Sequence, residues 1–167
     1  MKILGLISDT HIPSRQKKLP DSVRKQFIDS NVDLIVHAGD FEELSIVTPL
    51  EEIAPLKAVH GNMCHQTVKN RFPKREVFQV ENLLIGITHG SGGSSGYFKR
   101  VLNEFSNVPH PNIIVSGHTH KPIAKFKDDI LFINPGSPTD RYFAPRNTIV
   151  LLEIDGMNYK YEFVGLK

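Results

Sequence analysis

The feature that most constrains this chain is a repeated event: a short apolar run stops, and polar, metal-competent residues follow at once. The run Lys2 to Ser8 ends in "SDTH", Asp33 to His37 ends in "HAGD", and Lys57 to His60 runs into "GNMC". Between the first two runs, Asp21 to Ser30 carries Val23, Phe27 and Ile28 at helical spacing. Between the second and third, roughly Phe41 to Ile53 repeats Leu44, Val47 and Leu50 in the same way. Strands alternating with helices favour a parallel sheet, which places ligands beyond the carboxyl ends of its strands. "SDTH", "HAGD" and "HGNM" are therefore expected on one rim.

After Pro73 the texture changes. "REVFQV", "ENLLIGITHG", "KPIAKFKDDILFINPGS" and "NTIVLLEIDGMNYKYEFV" read as strand pairs joined by tight polar turns. The glycine-serine stretch 90–96 reads as a flexible connection into a helix of about ten residues from Tyr97, and it lacks the G-x-x-x-x-G-K-[ST] pattern of a phosphate-binding loop. With no internal repeat and no long linker, residues 1–167 are expected to form a single α/β domain.

Charge and cysteine usage exclude some partners and compartments. A net charge of +2 gives no broad attraction to nucleic acid or to an anionic membrane, so nucleic acid is a disfavoured partner and a charged substrate must be caught locally. The single cysteine, Cys64, permits no internal disulfide, and "MKILGLISDT" is too short and polar for a signal or a membrane span. A cytoplasmic protein without membrane attachment is expected.

The strand-end clusters Asp9-Thr10-His11, Gly39-Asp40, Gly61-Asn62, His89-Gly90 and Gly117-His118-Thr119-His120 hold seven side chains able to coordinate metal. Carboxylate and imidazole donors suit Mn, Ni, Zn or Fe. Seven ligands exceed one tetrahedral ion. With Asp40 shared, they supply four bonds to each of two divalent ions about 3.5–4 Å apart, the arrangement suited to in-line displacement at phosphorus. His37, inside an apolar run, is expected to be a packed core residue, and Cys64 is not expected to ligate.

The ordered motifs "SDTH", "HAGD", "HGN", "THG" and "SGHTH", followed by "NPGS" at Asn134 to Ser137, resemble the calcineurin-like metallophosphoesterase superfamily and its small YfcE-like phosphodiesterase branch. The resemblance implies a four-layer α/β/β/α sandwich of two mixed β-sheets flanked by helices. It also implies two divalent ions, with Mn favoured. Carried across residue by residue, Asp9, His11, Asp40 and His120 would hold one ion, and Asp40, Asn62, His89 and His118 the other. Asp40, Asn62 and His118 are the implied catalytic positions. Met63 and Cys64 stand where related enzymes often place a histidine and an acidic residue, and Ser91 stands where the branch commonly has a second histidine.

The expected activity is hydrolysis of a small phosphoester, most simply a diester monoanion, by in-line attack of a metal-bridging hydroxide. Arg141 and Arg146, after "NPGS", are candidates to bind a phosphate oxygen. His60 and His65 are candidate leaving-group acids. Tyr97, Phe98, Tyr142 and Phe143 are either pocket walls or ordinary packing. The alternatives are a monoesterase, a nuclease, or an interaction scaffold on the same fold like a eukaryotic retromer subunit. A homodimer is plausible by family analogy.

Overall fold

The computed structural model describes residues 1–93 and 95–166; Ser94, within the glycine-serine stretch, lies outside the described residues. The first half alternates β1 (Lys2–Ile7), α1 (Asp21–Asp29), β2 (Leu34–His37), a 3-10 turn (Leu44–Ile46) running into α2 (Val47–Glu51), β3 (Leu56–Ala58) and α3 (Gln66–Arg71). The second half contains β4 (Arg75–Val80), β5 (Leu83–Thr88), α4 (Tyr97–Asn103), β6 (Ile113–Val115), β7 (Ile123–Lys127), β8 (Ile130–Asn134), β9 (Thr148–Asp155) and β10 (Asn158–Gly165).

Two five-stranded sheets result, ordered β10-β9-β1-β2-β3 and β4-β5-β6-β8-β7. β1, β2 and β3 are parallel, as are β5, β6 and β8, while hairpin partners make each sheet mixed. Side-chain alternation along the strands sets the layers. Leu4, Leu6, Val150 and Leu152 face Ile85, Ile87, Val115 and Ile133 between the sheets. Ile7 and Ile35 turn outward under Val23, Phe27 and Leu50 of the first helical layer. Ile114 and Phe132 turn outward under Tyr97 and Val101 of α4. The result is the expected four-layer α/β/β/α sandwich.

Two helices are shorter than their apolar spacing suggests. The expected helix over 41–53 begins only at residue 44. Phe41 is spent as a core wedge, its ring 4.8 Å from His37 and 5.4 Å from Phe72, and Glu42 has a left-handed φ of 51°. The segment before α2 is thus an irregular loop that aims Glu42 at the strand-end rim. α4 covers seven residues and not about ten. Among the described residues, no helix is long and apolar enough to cross a membrane.

His37 is fully buried, as expected of a core residue. The Gly39 N–H donates to its Nδ1 (3.2 Å), which leaves the Nε2–H to donate to Thr10 Oγ1 (3.1 Å). That arrangement needs the neutral ring, and burial pushes its pKa down to about 3 from 6.5.

Two stability outcomes follow from this packing. Phe27→Ala, which empties a fully enclosed site beneath β1, should cost about 3–5 kcal/mol in urea unfolding. Between about pH 6.5 and 3 the unfolded His37 binds a proton that the folded one refuses, so its contribution is complete above 6.5 and is lost as pH falls. The slope of unfolding free energy against pH in that window should therefore be steeper for wild type than for His37→Gln.

Candidate metal centre

The carboxyl ends of β1, β2 and β3 meet those of β5 and β6 at one rim between the sheets, and the seven sequence-identified residues arrive there from both sides. Five of them, Asp9, His11, Asp40, His118 and His120, have positive φ between 42° and 71°. Non-glycine residues seldom hold this conformation, and they keep it only where surrounding contacts fix it. Those contacts are present. Asp9 N–H donates to the Gly39 carbonyl (3.0 Å) and His11 N–H to the Asp40 carbonyl (2.9 Å), tying the β1 and β2 loops together. The Ser137 hydroxyl donates to the Asp9 carbonyl (2.7 Å), Thr139 Oγ1 to the Thr10 carbonyl (2.7 Å), and Asn134 Nδ2 and the Tyr97 hydroxyl to the Gly117 carbonyl (2.7 Å each). "NPGS" therefore braces the ligand loops.

Two groups of donors form. Asp9, His11 and His120 offer ligand atoms within 4.8 Å of one another, and so do Asp40, His89 and His118. Asp40 lies between them, with Oδ2 3.0 Å from His89 Nε2 and 3.9 Å from His11 Nε2, while Oδ1 accepts the Met63 N–H (2.8 Å). Both oxygens of Asp9 lie 3.0 Å from the His118 N–H. Asn62 is exposed and lines the same cleft as Asp40 and His118. Close approach explains two glycines: a Cβ on Gly61 would land on Asp40 Oδ1, and one on Gly117 would sit 2.7 Å from Asp9 Oδ2.

The donor set fits cations. His11 Nδ1 is committed to Glu42 (3.0 Å) and His120 Nδ1 to Asp140, so their Nε2 atoms face each other at 3.2 Å with their lone pairs turned to one point. His89 Nδ1 donates to the Ala38 carbonyl (2.8 Å), leaving its buried Nε2 turned into the site, 3.0 Å from Asp40 Oδ2 but not aligned for a hydrogen bond with it. Without metal, protons must hold such a site together. Burial alone would lower the His120 pKa, yet Asp9 and Asp140 drive it up to about 9, and Asp40 and Asp9 likewise raise that of His89 against its burial. Asp40 moves the other way: burial resists ionisation, but His89 and the Met63 N–H hold its pKa below the usual value. Glu42 and Asp140 carried no sequence signal, because the histidines they contact lie 31 and 20 residues away in the chain.

A cleft of about 720 Å³ opens over these groups, lined also by Arg15, Met63, Lys121, Tyr142 and Phe143. Arg141 and Arg146 are exposed and are not among its lining residues; the cations at the cleft are Arg15 and Lys121. The aromatics divide. Tyr97 and Phe98 are packing residues against Phe132, whereas Tyr142 and Phe143 stand open at the mouth with the Arg15 guanidinium 5.1 and 5.9 Å from their ring centres. His60 lines a smaller neighbouring cavity and His65 lies at the surface beside Glu43. Cys64 is buried, its Sγ accepting the Gly61 N–H (3.3 Å), and burial pushes its thiol pKa up.

The fold is a sandwich of two mixed sheets, and the site at its rim is a pair of carboxylate-imidazole clusters able to ligate metal. The calcineurin-like phosphoesterase superfamily domain matches residues 1–157, and the chain belongs to that superfamily. It is 36% identical over 166 residues to a probable metallophosphoesterase of Methanothermobacter thermautotrophicus, covering 97% of this chain and 91% of that protein. It is 28% identical over 174 residues to a phosphodiesterase of Methanocaldococcus jannaschii, covering 96% and 97%. The crystal structure of Entamoeba histolytica Vps29 complexed with zinc shares the fold with a TM-score of 0.76 at 22% identity, over 98% of each chain.

Replacing Gly61 by alanine should displace the Asp40 carboxylate and abolish metal uptake, measured by metal content after dialysis. Cys64→Ser should leave metal content near wild type, since its sulfur accepts only a backbone N–H.

Proposed function

We propose that this chain is a dinuclear metal-dependent phosphodiesterase acting on a small phosphodiester. The observation that carries the reading is the pair of three-residue ligand groups, Asp9–His11–His120 and Asp40–His89–His118, with Asp40 Oδ2 also 3.9 Å from His11 Nε2 of the first group. Asp9, His11 and His120 would hold one divalent ion, and His89, His118 and Asn62 the other, with Asp40 between. The donors suit Mn, Ni, Zn or Fe, and the family resemblance favours Mn. Bound there, the ions would supply positive charge to the phosphoryl oxygens and lower the pKa of a water to about 7.

The chain's own residues set the charge of the cleft. Asp9, Asp40, Glu42 and Asp140 together balance the charge of two divalent ions, so the surplus positive charge at the cleft comes from Arg15 and Lys121. These side chains would catch a non-bridging oxygen, the role that the sequence suggests for Arg141 and Arg146. Two cations can balance a diester monoanion or a monoester dianion, so the diester preference rests on the family resemblance and on the relative named a phosphodiesterase. Tyr142 and Phe143 offer apolar wall to the ester group. The archaeal relatives named as a metallophosphoesterase and a phosphodiesterase support hydrolysis. An interaction scaffold is the lesser reading, because the likeness to Vps29 is one of fold.

Stripped with chelator and reloaded with Mn, Ni or Zn, the protein should hydrolyse an activated diester faster than the corresponding monoester. Asp40→Asn and His118→Ala should each lower kcat by roughly 100-fold or more. Equal rates in the stripped, reloaded and variant samples would sink the proposal.

A further inference from the structure

The two ligand groups are held by different chemistry. In the first, each histidine has a buried carboxylate on its far nitrogen: Glu42 on His11 Nδ1 and Asp140 on His120 Nδ1. Those carboxylates are fixed in turn, Glu42 by the Ser14 hydroxyl and N–H and Asp140 by the N–H groups of Tyr142 (2.8 Å) and Phe143 (3.3 Å). In the second group the partners are neutral backbone groups: the Ala38 carbonyl for His89 Nδ1 (2.8 Å), and both the carbonyl (2.6 Å) and the N–H (3.2 Å) of Gly92 for His118 Nε2. Exposure differs at one ligand of the groups: Asp9, His11 and His120 are buried, as are Asp40 and His89, whereas His118 is half-buried, with the exposed Asn62 in the same cleft.

We propose that Glu42 and Asp140 are positioning residues that make the Asp9–His11–His120 pocket the tight, first-filled ion site, and that the Asp40–His89–His118 pocket is the weaker, exchangeable one. The proposal rests on the metal-centre reading above. A carboxylate accepting the Nδ1–H fixes the tautomer, so that Nε2 presents its lone pair. It also makes the ring a stronger donor and adds negative charge behind it. A backbone carbonyl fixes the tautomer without adding charge. The asymmetry is therefore electrostatic as well as geometric.

The test is calorimetric titration of the metal-free full chain with Mn(II), which does not depend on turnover. Wild type should bind in two separated steps, and His118→Ala should lose the second. Glu42→Gln, which retains one oxygen to accept the Nδ1–H but removes the charge and the second acceptor that holds Ser14, should weaken the first step by about 10- to 100-fold and leave the second in place; Asp140→Asn should do the same. A residue with a merely structural role would move both steps together. Two equal steps in wild type, variants that bind like wild type, or variants in which both steps shift equally would each overturn the proposal. Because Asp140 also fixes the Tyr142–Phe143 loop, Glu42→Gln decides the matter if Asp140→Asn fails to fold. Normal two-step binding in a wild-type protein that hydrolyses no diester would refute the phosphodiesterase reading alone.

Discussion

Four carboxylates, Asp9, Asp40, Glu42 and Asp140, are buried in one rim together with His11, His89 and His120, and the local structure answers the cost of placing charge there. A buried carboxylate is tolerated only when it is hydrogen-bonded and its charge is balanced. Each has its donors: the His118 N–H for Asp9, the Met63 N–H for Asp40, Ser14 for Glu42, and the Tyr142 and Phe143 N–H groups for Asp140. The left-handed φ values of Asp9, His11, Asp40, His118 and His120 follow from the same demand, since the backbone must turn sharply at each strand end to aim side chain and amide inward. Hydrogen bonds alone leave net negative charge, which bound cations would balance.

The hydrophobic contact between the sheets makes the rim a single place. The first sheet contributes Asp9, His11, Asp40 and Asn62, and the second contributes His89, His118 and His120. Neither sheet alone assembles a ligand group, because Asp9 and His11 need His120, and Asp40 needs His89 and His118. Packing of Leu4, Leu6 and Val150 on Ile85, Val115 and Ile133 sets the distance between the halves. The chain's return from β8 to β9 carries "NPGS" and Asp140 across the join, bracing β1's loop and His120 at once. Core volume and site geometry are thus coupled: a shift between the sheets pulls the donors apart.

Much of this was legible in the sequence because strand ends are chemically marked. Apolar runs with period-two or continuous character located the strands, and the abrupt change to Asp, Asn, His and Gly located their ends. His37 could be assigned to the core because it sits inside a run and not after one. The helix expected over 41–53 misled because Phe41 is apolar for a different reason, filling space between His37 and Phe72. Arg141 and Arg146 were singled out by nearness to "NPGS"; in the folded chain both are exposed and neither lines the cleft. The cleft takes its cations from Arg15 and Lys121.

The HGNMCHQ stretch shows the same division at one site. Its order with the other motifs singled out Asn62 over Cys64, yet only the folded chain makes Met63 useful through its backbone N–H to Asp40. By itself the sequence determined the alternation of strands and helices, the list of donors and their place at strand ends, because these depend on residue type and local periodicity. The tertiary structure decided how the donors divide, that Glu42 and Asp140 stand behind one group only, and which cations face the cleft. Those are contacts between distant segments, set by the packing of one sheet on the other, and local periodicity carries no record of them.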